Sequence, residues 1–300
     1  MIPEFPQFKR LELSDREEVE KFTSRFPPYS DFNFVSLWSW NITDEMRLSV
    51  LNDNLVVHFT DYLTGKLFYS FLGNNKVNET AEKLLKLSKQ EGAELELKLV
   101  PEDSLKGLDS TKFKIREDRD HFDYVYLIED LKNIHNWSGH RSSKGIEKFL
   151  QSHPDYLVKI SPLKEISKKE YLEIFGKWAE TKKIENHFES NEYQALKRFM
   201  EIKNDNIEVV SLYKNTTLIG FTAYEIISEN YALAHFSKAD TKHHSAIYDI
   251  LNWEEAKSLN TKKIKYYNWE QDLGILGLRK SKMNYKPNSF LKKFFVENIV

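Results

Sequence analysis

The sequence predicts an α+β fold made of two domains in tandem, each a mixed, mostly antiparallel sheet flanked by helices. Three observations predict it. The chain has 300 residues, enough for two domains of ordinary size. Short alternating apolar runs, the mark of half-buried strands, are interleaved with runs of helical period. The order helix, meander, helix, strand, helix also occurs twice. Residues 165–175 echo residues 12–22, with five of eleven positions identical, as duplication of one unit would leave. The boundary is expected near Asp130, giving domains 1–130 and 131–300.

Leu13-Ser14-Asp15-Arg16-Glu17 carries a Ser-x-x-Glu capping box, so a helix is expected from there to about Phe26, stopped by Pro27-Pro28. Phe34, Trp38 and Trp40 fit a short buried helix capped by Ser30 or Asp31. Strands near 47–51, 55–60 and 66–72 form a meander turned at Asn52-Asp53-Asn54 and Thr64-Gly65. A helix follows over 79–90, with Ala81, Leu84, Leu85 and Leu87 on its apolar side. Next come a strand at 94–100, a short helix at 104–108 and strands at 113–116 and 124–128. In the second half, a turn and strand at 214–222, a strand at 231–237, a helix at 246–259 and a strand at 264–270 repeat the pattern. A strand reached through a crossover helix joins its sheet parallel to its neighbour. Strands 231–237 and 264–270 are therefore expected side by side. Trp38, Trp40, Trp178 and Trp253 fall on helical apolar faces and read as core.

Composition narrows the function classes. Hydrophobic residues are 40% and charged residues 30%, the balance of a globular chain. Cysteine is absent, so a disulfide framework or thiolate metal site is excluded. The start, Met-Ile-Pro-Glu-Phe-Pro, has no basic region followed by an apolar run, and no stretch of about eighteen apolar residues occurs. A cytoplasmic protein is expected, one that meets lipid only from the membrane surface. Net charge is −2, no global push toward nucleic acid. Yet between Lys257 and Lys293 the bases are Lys257, Lys262, Lys263, Lys265, Arg279, Lys280, Lys282, Lys286, Lys292 and Lys293, against only Glu270 and Asp272. Such a cluster suits phosphate of tRNA, coenzyme or lipid, or a solvated face.

The most informative stretch is Asn268-Trp269-Glu270-Gln271-Asp272-Leu273-Gly274-Ile275-Leu276-Gly277-Leu278-Arg279-Lys280-Ser281-Lys282, running on to Tyr285 and Pro287. It reads as a strand end followed by a helix. Asp272 stands at the N-cap position, Leu273, Leu276 and Leu278 form the apolar side, and Gly274 and Gly277 permit close approach. The stretch resembles the C-terminal signature of the bacterial family named after the catalytic domain of phosphatidylglycerol lysyltransferase. Asn268, Glu270, Asp272, Leu273, Gly274, Gly277, Leu278, Arg279, Lys282, Tyr285 and Pro287 match, while Trp269 stands where arginine is common. The segment 137–149 is similar to a second motif of that family through His140, Ile146, Lys148 and Phe149, with Ser142-Ser143-Lys144 replacing its Lys-Arg-Asn run. The resemblance implies two tandem GNAT-like (acyl-CoA N-acyltransferase-like) domains. In that fold an acyl donor enters a wedge between the strands on either side of the crossover helix, here 231–237 and 264–270.

Acyl transfer needs a held donor, a base for the nucleophile's proton and donors for the oxyanion. Glu270 is the candidate base, with Asn268 and Tyr285 as its catalytic companions. Tyr266, His235, Lys238, Asp272, Arg279, Lys282 and His140 are the candidate substrate contacts. The turn opening the crossover helix, Asp240-Thr241-Lys242-His243-His244-Ser245-Ala246, has no glycine for close backbone approach to a pyrophosphate. Lys242, His243 and Ser245 remain the candidate cofactor contacts there. The turn speaks against coenzyme A and leaves aminoacyl-tRNA as the donor that the resemblance implies; no tightly bound cofactor is expected. Adjacent His243 and His244 have no second ligand pair at helical spacing, so no metal is expected. The expected activity is acyl or aminoacyl transfer from acyl-CoA or aminoacyl-tRNA to an amine or hydroxyl of a lipid head group or peptide. The competing readings are an ordinary acetyl-CoA enzyme and a non-catalytic binding module that has lost the donor turn.

Overall fold

The computed structural model describes residues 1–61 and 64–299. In chain order its elements are β1 (Lys9–Arg10), α1 (Arg16–Thr23), α2 (Phe34–Trp40), β2 (Arg47–Leu51), β3 (Asn54–Thr60), β4 (Leu67–Leu72), α3 (Val77–Glu91), β5 (Leu97–Pro101), β6 (Phe113–Glu117) and β7 (Asp123–Leu127). Then follow α4 (Ile128–Lys132), α5 (Arg141–Ser152), β8 (Tyr156–Pro162), α6 (Lys168–Thr181), α7 (Asn191–Phe199), β9 (Ile207–Lys214), β10 (Thr217–Ile226) and β11 (Tyr231–Ala239). The last are α8 (Ile247–Thr261), β12 (Tyr266–Asn268), α9 (Leu276–Asn284), β13 (Ser289–Leu291) and β14 (Lys293–Asn298). This is the α+β class expected from the sequence.

The chain forms two compact units. One comprises Met1–Tyr124, Gln271–Lys282 and the chain from Phe290 on; the other comprises Val125–Glu270 and Met283–Ser289. A cut at residue 130 does not separate them, because two C-terminal segments return to the first unit.

In the first unit β1-β2-β3-β4 make an antiparallel sheet. Alternate side chains point to opposite faces. Leu55, Val57 and Phe59 therefore pack with Val19, Phe34 and Leu37 of the first two helices, while Val56, Tyr69 and Phe71 pack with Ala81, Leu84 and Leu85 of α3. Helix starts differ from expectation. A 3₁₀ turn over Leu13–Asp15 precedes α1, and Asp15 rather than Glu17 reaches back, its Oδ2 accepting the Glu12 N–H at 2.9 Å. Asn33, rather than Ser30 or Asp31, caps α2 by accepting the Ser36 N–H at 3.0 Å. Trp38 and Trp40 are only half-buried.

The strand after α3 also departs from expectation. β5 does not extend the first sheet but pairs with β14, which lies between β5 and β6. Lys293 of β14 is fully buried and ion-paired with Asp123 at 2.7 Å and with Asp31. Burial disfavours its charge, but the two carboxylates outweigh that cost and raise its pKa.

The second unit is built on the sheet ordered β13-β7-β12-β11-β10-β9-β8. β8 to β11 are antiparallel neighbours, and α8 then crosses over to bring β12 parallel to β11. Residues Val125–Leu127 of β7 close the other side of β12 in antiparallel register. α8 lies tight on the sheet at Gly220, where a Cβ would come within 2.9 Å of Ala239 Cβ and 3.1 Å of Ile247 Cδ1.

Candidate active site

β11 and β12 share three register pairs, Tyr231↔Tyr266, Ala232↔Tyr267 and Leu233↔Asn268. There β12 stops, whereas β11 runs on to Ala239. The cause is local. Asn268 is buried, and its Oδ1 accepts the Glu270 N–H at 2.7 Å. That bond closes an Asx-type turn, and Glu270 takes a left-handed φ of 56°. Non-glycine residues rarely adopt such a backbone, and it cannot continue a ladder. Past Leu233, the β12 side of β11 therefore has no ladder partner among the described residues.

His235 lies in this unpaired length. The β10–β11 register steps from Ala223↔Phe236 to Tyr224↔Ala234, so His235 is the extra residue of a bulge, a device that re-aims a side chain. Its side chain is 2% exposed, with Nε2 at 3.5 Å from Glu225 Oε2 and Nδ1 at 4.0 Å from Glu270 Oε1. Nε2 is buried without a hydrogen-bond partner. Glu225 is itself buried and accepts from Asn204 Nδ2 at 3.0 Å. The Glu270 side chain is 26% exposed, so this carboxylate is in contact with solvent yet sheltered. Phe199 walls the imidazole at a ring distance of 5.5 Å. The geometry unites three groups: a buried imidazole, a buried carboxylate behind it and a half-sheltered carboxylate in front. Glu225, the last residue but one of the largely apolar β10, was missed in the sequence; a lone acid at a buried strand position was the available signal.

Beneath the strand pair lies a third carboxyl group. Glu255 of α8 is 1% exposed and accepts from Thr222 Oγ1 at 2.9 Å. Burial pushes its pKa up to about 7, against the opposing pull of the Tyr267 and Thr222 hydroxyls.

Other expected site residues are placed elsewhere or already engaged. Asn268 shapes the turn rather than lining an opening. Tyr266 stands at the zipped end of the strand pair, stacked on Tyr231 at 4.9 Å. Tyr285 is buried, donates to Asp249 Oδ1 at 2.6 Å and packs on Trp269, an arrangement for a strut rather than a proton donor. Burial and Asp249 raise its pKa further. Lys238 is ion-paired with Glu192 at 2.6 Å, its ammonium 4.0 Å from the Trp178 ring centroid. Trp178 and Trp253 are half-buried: one carries this cation, the other donates to Lys132 O at 2.8 Å. His140 caps α5, with Nδ1 accepting the Ser142 N–H at 3.2 Å and Nε2 donating to Asn284 O at 2.9 Å.

The turn before α8 is also occupied by internal bonds. Asp240 accepts from His243 Nδ1 at 2.9 Å, and His244 Nδ1 meets His153 Nε2 at 2.8 Å. Lys242 and Ser245 are exposed. Ala246 takes the left-handed φ of 61° that glycine would adopt without strain. Asp249 sits in the first turn of α8, so close to α5 that a Cβ on Gly145 would come within 2.3 Å of its Oδ2. A carboxylate thus already lies near the amides that favour an anion.

In the first unit, the signature residues form a lock. Asp272 is fully buried. Its Oδ2 accepts from Tyr124 Oη at 2.5 Å, Arg119 Nη1 at 3.1 Å and Arg279 Nε at 2.9 Å, while Oδ1 accepts from Arg279 Nη2 at 2.7 Å and Gly274 N at 2.9 Å. Burial works against its charge, but Arg279, Tyr124 and the Gly274 amide overcome it and hold the pKa at about 2. Lys282 donates to the Gln271 carbonyl. Asp272, Arg279 and Lys282, expected to touch substrate, thus hold the loop. Asp272 caps no helix, because α9 begins only at Leu276, and Leu273, Leu276 and Leu278 are exposed instead of buried. The basic cluster is largely neutralised as well: Lys257 pairs with Glu254, Lys262 with Glu208 and Lys292 with Glu117.

Known structures share this architecture. A conserved protein of unknown function from Bacteroides thetaiotaomicron aligns over 100% of both chains, with TM-score 0.82 and 27% identity. The C-terminal domain of a putative lysylphosphatidylglycerol synthetase from Agrobacterium fabrum aligns over 94% of this chain and 91% of that one, with TM-score 0.66 and 10% identity. L-PGS from Bacillus licheniformis aligns over 99% and 93%, with TM-score 0.63 and 12% identity. No curated protein matches in sequence. The sequence profile described as "Phosphatidylglycerol lysyltransferase, C-terminal" matches residues 25–297, and this chain belongs to that family.

Proposed function

We propose that this chain is an aminoacyltransferase that moves an aminoacyl group, carried as an ester on tRNA, to a hydroxyl or amine of a lipid-like acceptor, working through its second unit. The observation that carries the reading is the unpaired length of β11 beyond Leu233, with His235 held between Glu225 and Glu270. The open strand edge offers backbone groups to the donor. Glu270 takes the proton of the acceptor, whose oxygen or nitrogen attacks the ester carbonyl, and returns it to the ribose oxygen as the carbonyl–ribose bond breaks. His235, with Nδ1 at 4.0 Å from Glu270 Oε1, backs that carboxylate.

An aminoacyl ester is favoured over acyl-CoA because Ala246 and the Asp249 carboxylate occupy the start of α8, where a pyrophosphate would sit. Exposed Lys263, Lys265 and Lys286 supply phosphate contacts for tRNA. Among the described residues no helix is long and apolar enough to cross a membrane, so a lipid-like acceptor is met at a surface. The internally bonded turn at 240–246 is what favours the second reading, a binding module without chemistry.

The test is transfer of radiolabelled amino acid from charged tRNA to phosphatidylglycerol vesicles. Label should enter the lipid phase, and Glu270→Gln should slow it by about 10²–10³-fold. Charged tRNA that fails to bind at micromolar protein, or a Glu270→Gln rate equal to wild type, would overturn the assignment. Acetyl-CoA binding without charged-tRNA binding would favour the acetyl enzyme instead.

A further inference from the structure

Lys257, Lys262 and Lys292 are paired with acids, but another group of cations in the second unit is not. α5 carries Arg141, Lys144 and Lys148, all exposed. Residues three and four apart share a helix face, so the three stand in one stripe. Trp137 precedes the helix by a tight turn, in which the His140 N–H donates to the Trp137 carbonyl at 3.0 Å. Its half-buried indole has the Lys286 ammonium 4.5 Å from the ring centroid, and Lys286 is exposed. None of these four cations makes an ion pair among the described residues. The first turn of α5 holds no acid, and the acid nearest the stripe in sequence is the exposed Glu147.

Lysines on a helix face commonly meet only water. Two features set this group apart. One is the aromatic ring at its end. The other is position. Gly145, four residues after Arg141 and three before Lys148, marks where α5 meets the start of α8: a Cβ there would come within 3.3 Å of Ala246 Cβ. α8 itself follows Ala239, the end of the unpaired length of β11. The stripe therefore flanks the helix start reached from that open edge. Cations beside a ring suit an unpaired nucleic-acid strand, whose phosphates they neutralise while a base stacks. A bilayer asks instead for a helix with its apolar face turned outward. Ile146 and Phe149 of α5 are buried, and among the described residues no exposed large apolar side chain lies between Leu95 and Leu157.

We propose that Trp137, Lys286 and the Arg141-Lys144-Lys148 face of α5 form an interface for an unpaired RNA strand, held beside the open edge of β11. The interface rests on the reading of the donor as an ester on tRNA, and it assigns the surface that holds the unpaired end of that donor.

Binding of deacylated tRNA to the full chain, followed by anisotropy between 50 and 200 mM salt, tests it. Arg141→Ala, Lys144→Ala and Lys148→Ala should each lower the slope of log affinity against log salt by about 1. Glu147→Lys, at an exposed position, should tighten binding. Trp137→Leu should weaken it by about 5- to 100-fold, and Trp137→Phe should retain most of it. Unchanged affinity and slope in the three alanine variants together, or Glu147→Lys binding like wild type, would overturn the interface. So would phosphatidylglycerol vesicles that bind through these residues when tRNA does not. Deacylated tRNA needs no chemistry to bind. Binding that follows this pattern without aminoacyl transfer would therefore defeat the transferase reading alone. Transfer that the three alanine substitutions leave unchanged at limiting tRNA would defeat the interface alone.

Discussion

Asn268 illustrates how one side chain shapes the candidate site without entering it. Its carbonyl holds the Glu270 N–H and with it the left-handed turn that ends β12. Asn268→Leu keeps the volume but leaves that N–H unpaired, costing about 1–3 kcal/mol. It should also lower transfer as severely as Glu270→Gln; an assay of the folded variant with unchanged rate would contradict the link. Asp272 is a second such case. With a folded pKa near 2, below the ordinary carboxylate value of 3.8, its contribution is present above pH 3.8 and is lost as pH falls through 2. Asp272→Asn should destabilise the chain by about 3 kcal/mol, because Arg119 and Arg279 lose their buried anion but keep some access to water. Urea unfolding at neutral pH measures this, and a change below about 1 kcal/mol would exclude the lock. The identity of these residues was readable in the sequence as a motif. Their work was not: Asn268, Asp272, Arg279 and Tyr285 look like ligand contacts in a string, and only distances show that each is engaged inside its own unit, Asn268 by the Glu270 N–H, Tyr285 by Asp249, and Asp272 and Arg279 by each other.

At the scale of elements, period and turn chemistry carried most of the reading. The helix expected over 79–90 is α3, and the meander at 47–72 is β2, β3 and β4. Two of the departures bear on the signature stretch. β12 spans three residues instead of seven, and α9 starts at Leu276 instead of Leu273. In both cases a side chain captures a backbone N–H and wins over the local propensity. The α8–β12 contact adds a testable pH dependence. Glu255 has a folded pKa of about 7 against 4.5 in the unfolded chain. Below pH 4.5 both states hold the proton and nothing is lost. As pH rises from 4.5 to 7 the unfolded chain ionises first, so stability declines by about 3 kcal/mol and then levels off. Glu255→Gln keeps the hydrogen-bonding shape and should abolish this decline, leaving the variant more stable than wild type at pH 8. Urea midpoints of both proteins at pH 5, 6 and 8 decide it; parallel slopes would refute the assignment.

For the molecule as a whole, the chain path has its own consequence. β14 completes the sheet of β5 and β6, and Val125–Leu127 of β7 flank β12. A fragment of residues 131–300 would carry β14 without its neighbours and lack β7 altogether. It should aggregate or remain unfolded, while the full chain is well behaved; a soluble, cooperatively melting fragment would count against these units. The amino-acid order alone was enough for the α+β class, the crossover that makes strands 231–237 and 264–270 neighbours, and the family signature, since each depends on local periodicity, turn residues or a contiguous motif. Which strand fills the centre of the first unit's second sheet, where the parallel pair stops zipping, and which acids flank His235 were settled by folding. Those features join residues far apart in the chain, and no local pattern encodes the free energy of a contact whose two halves are distant in sequence.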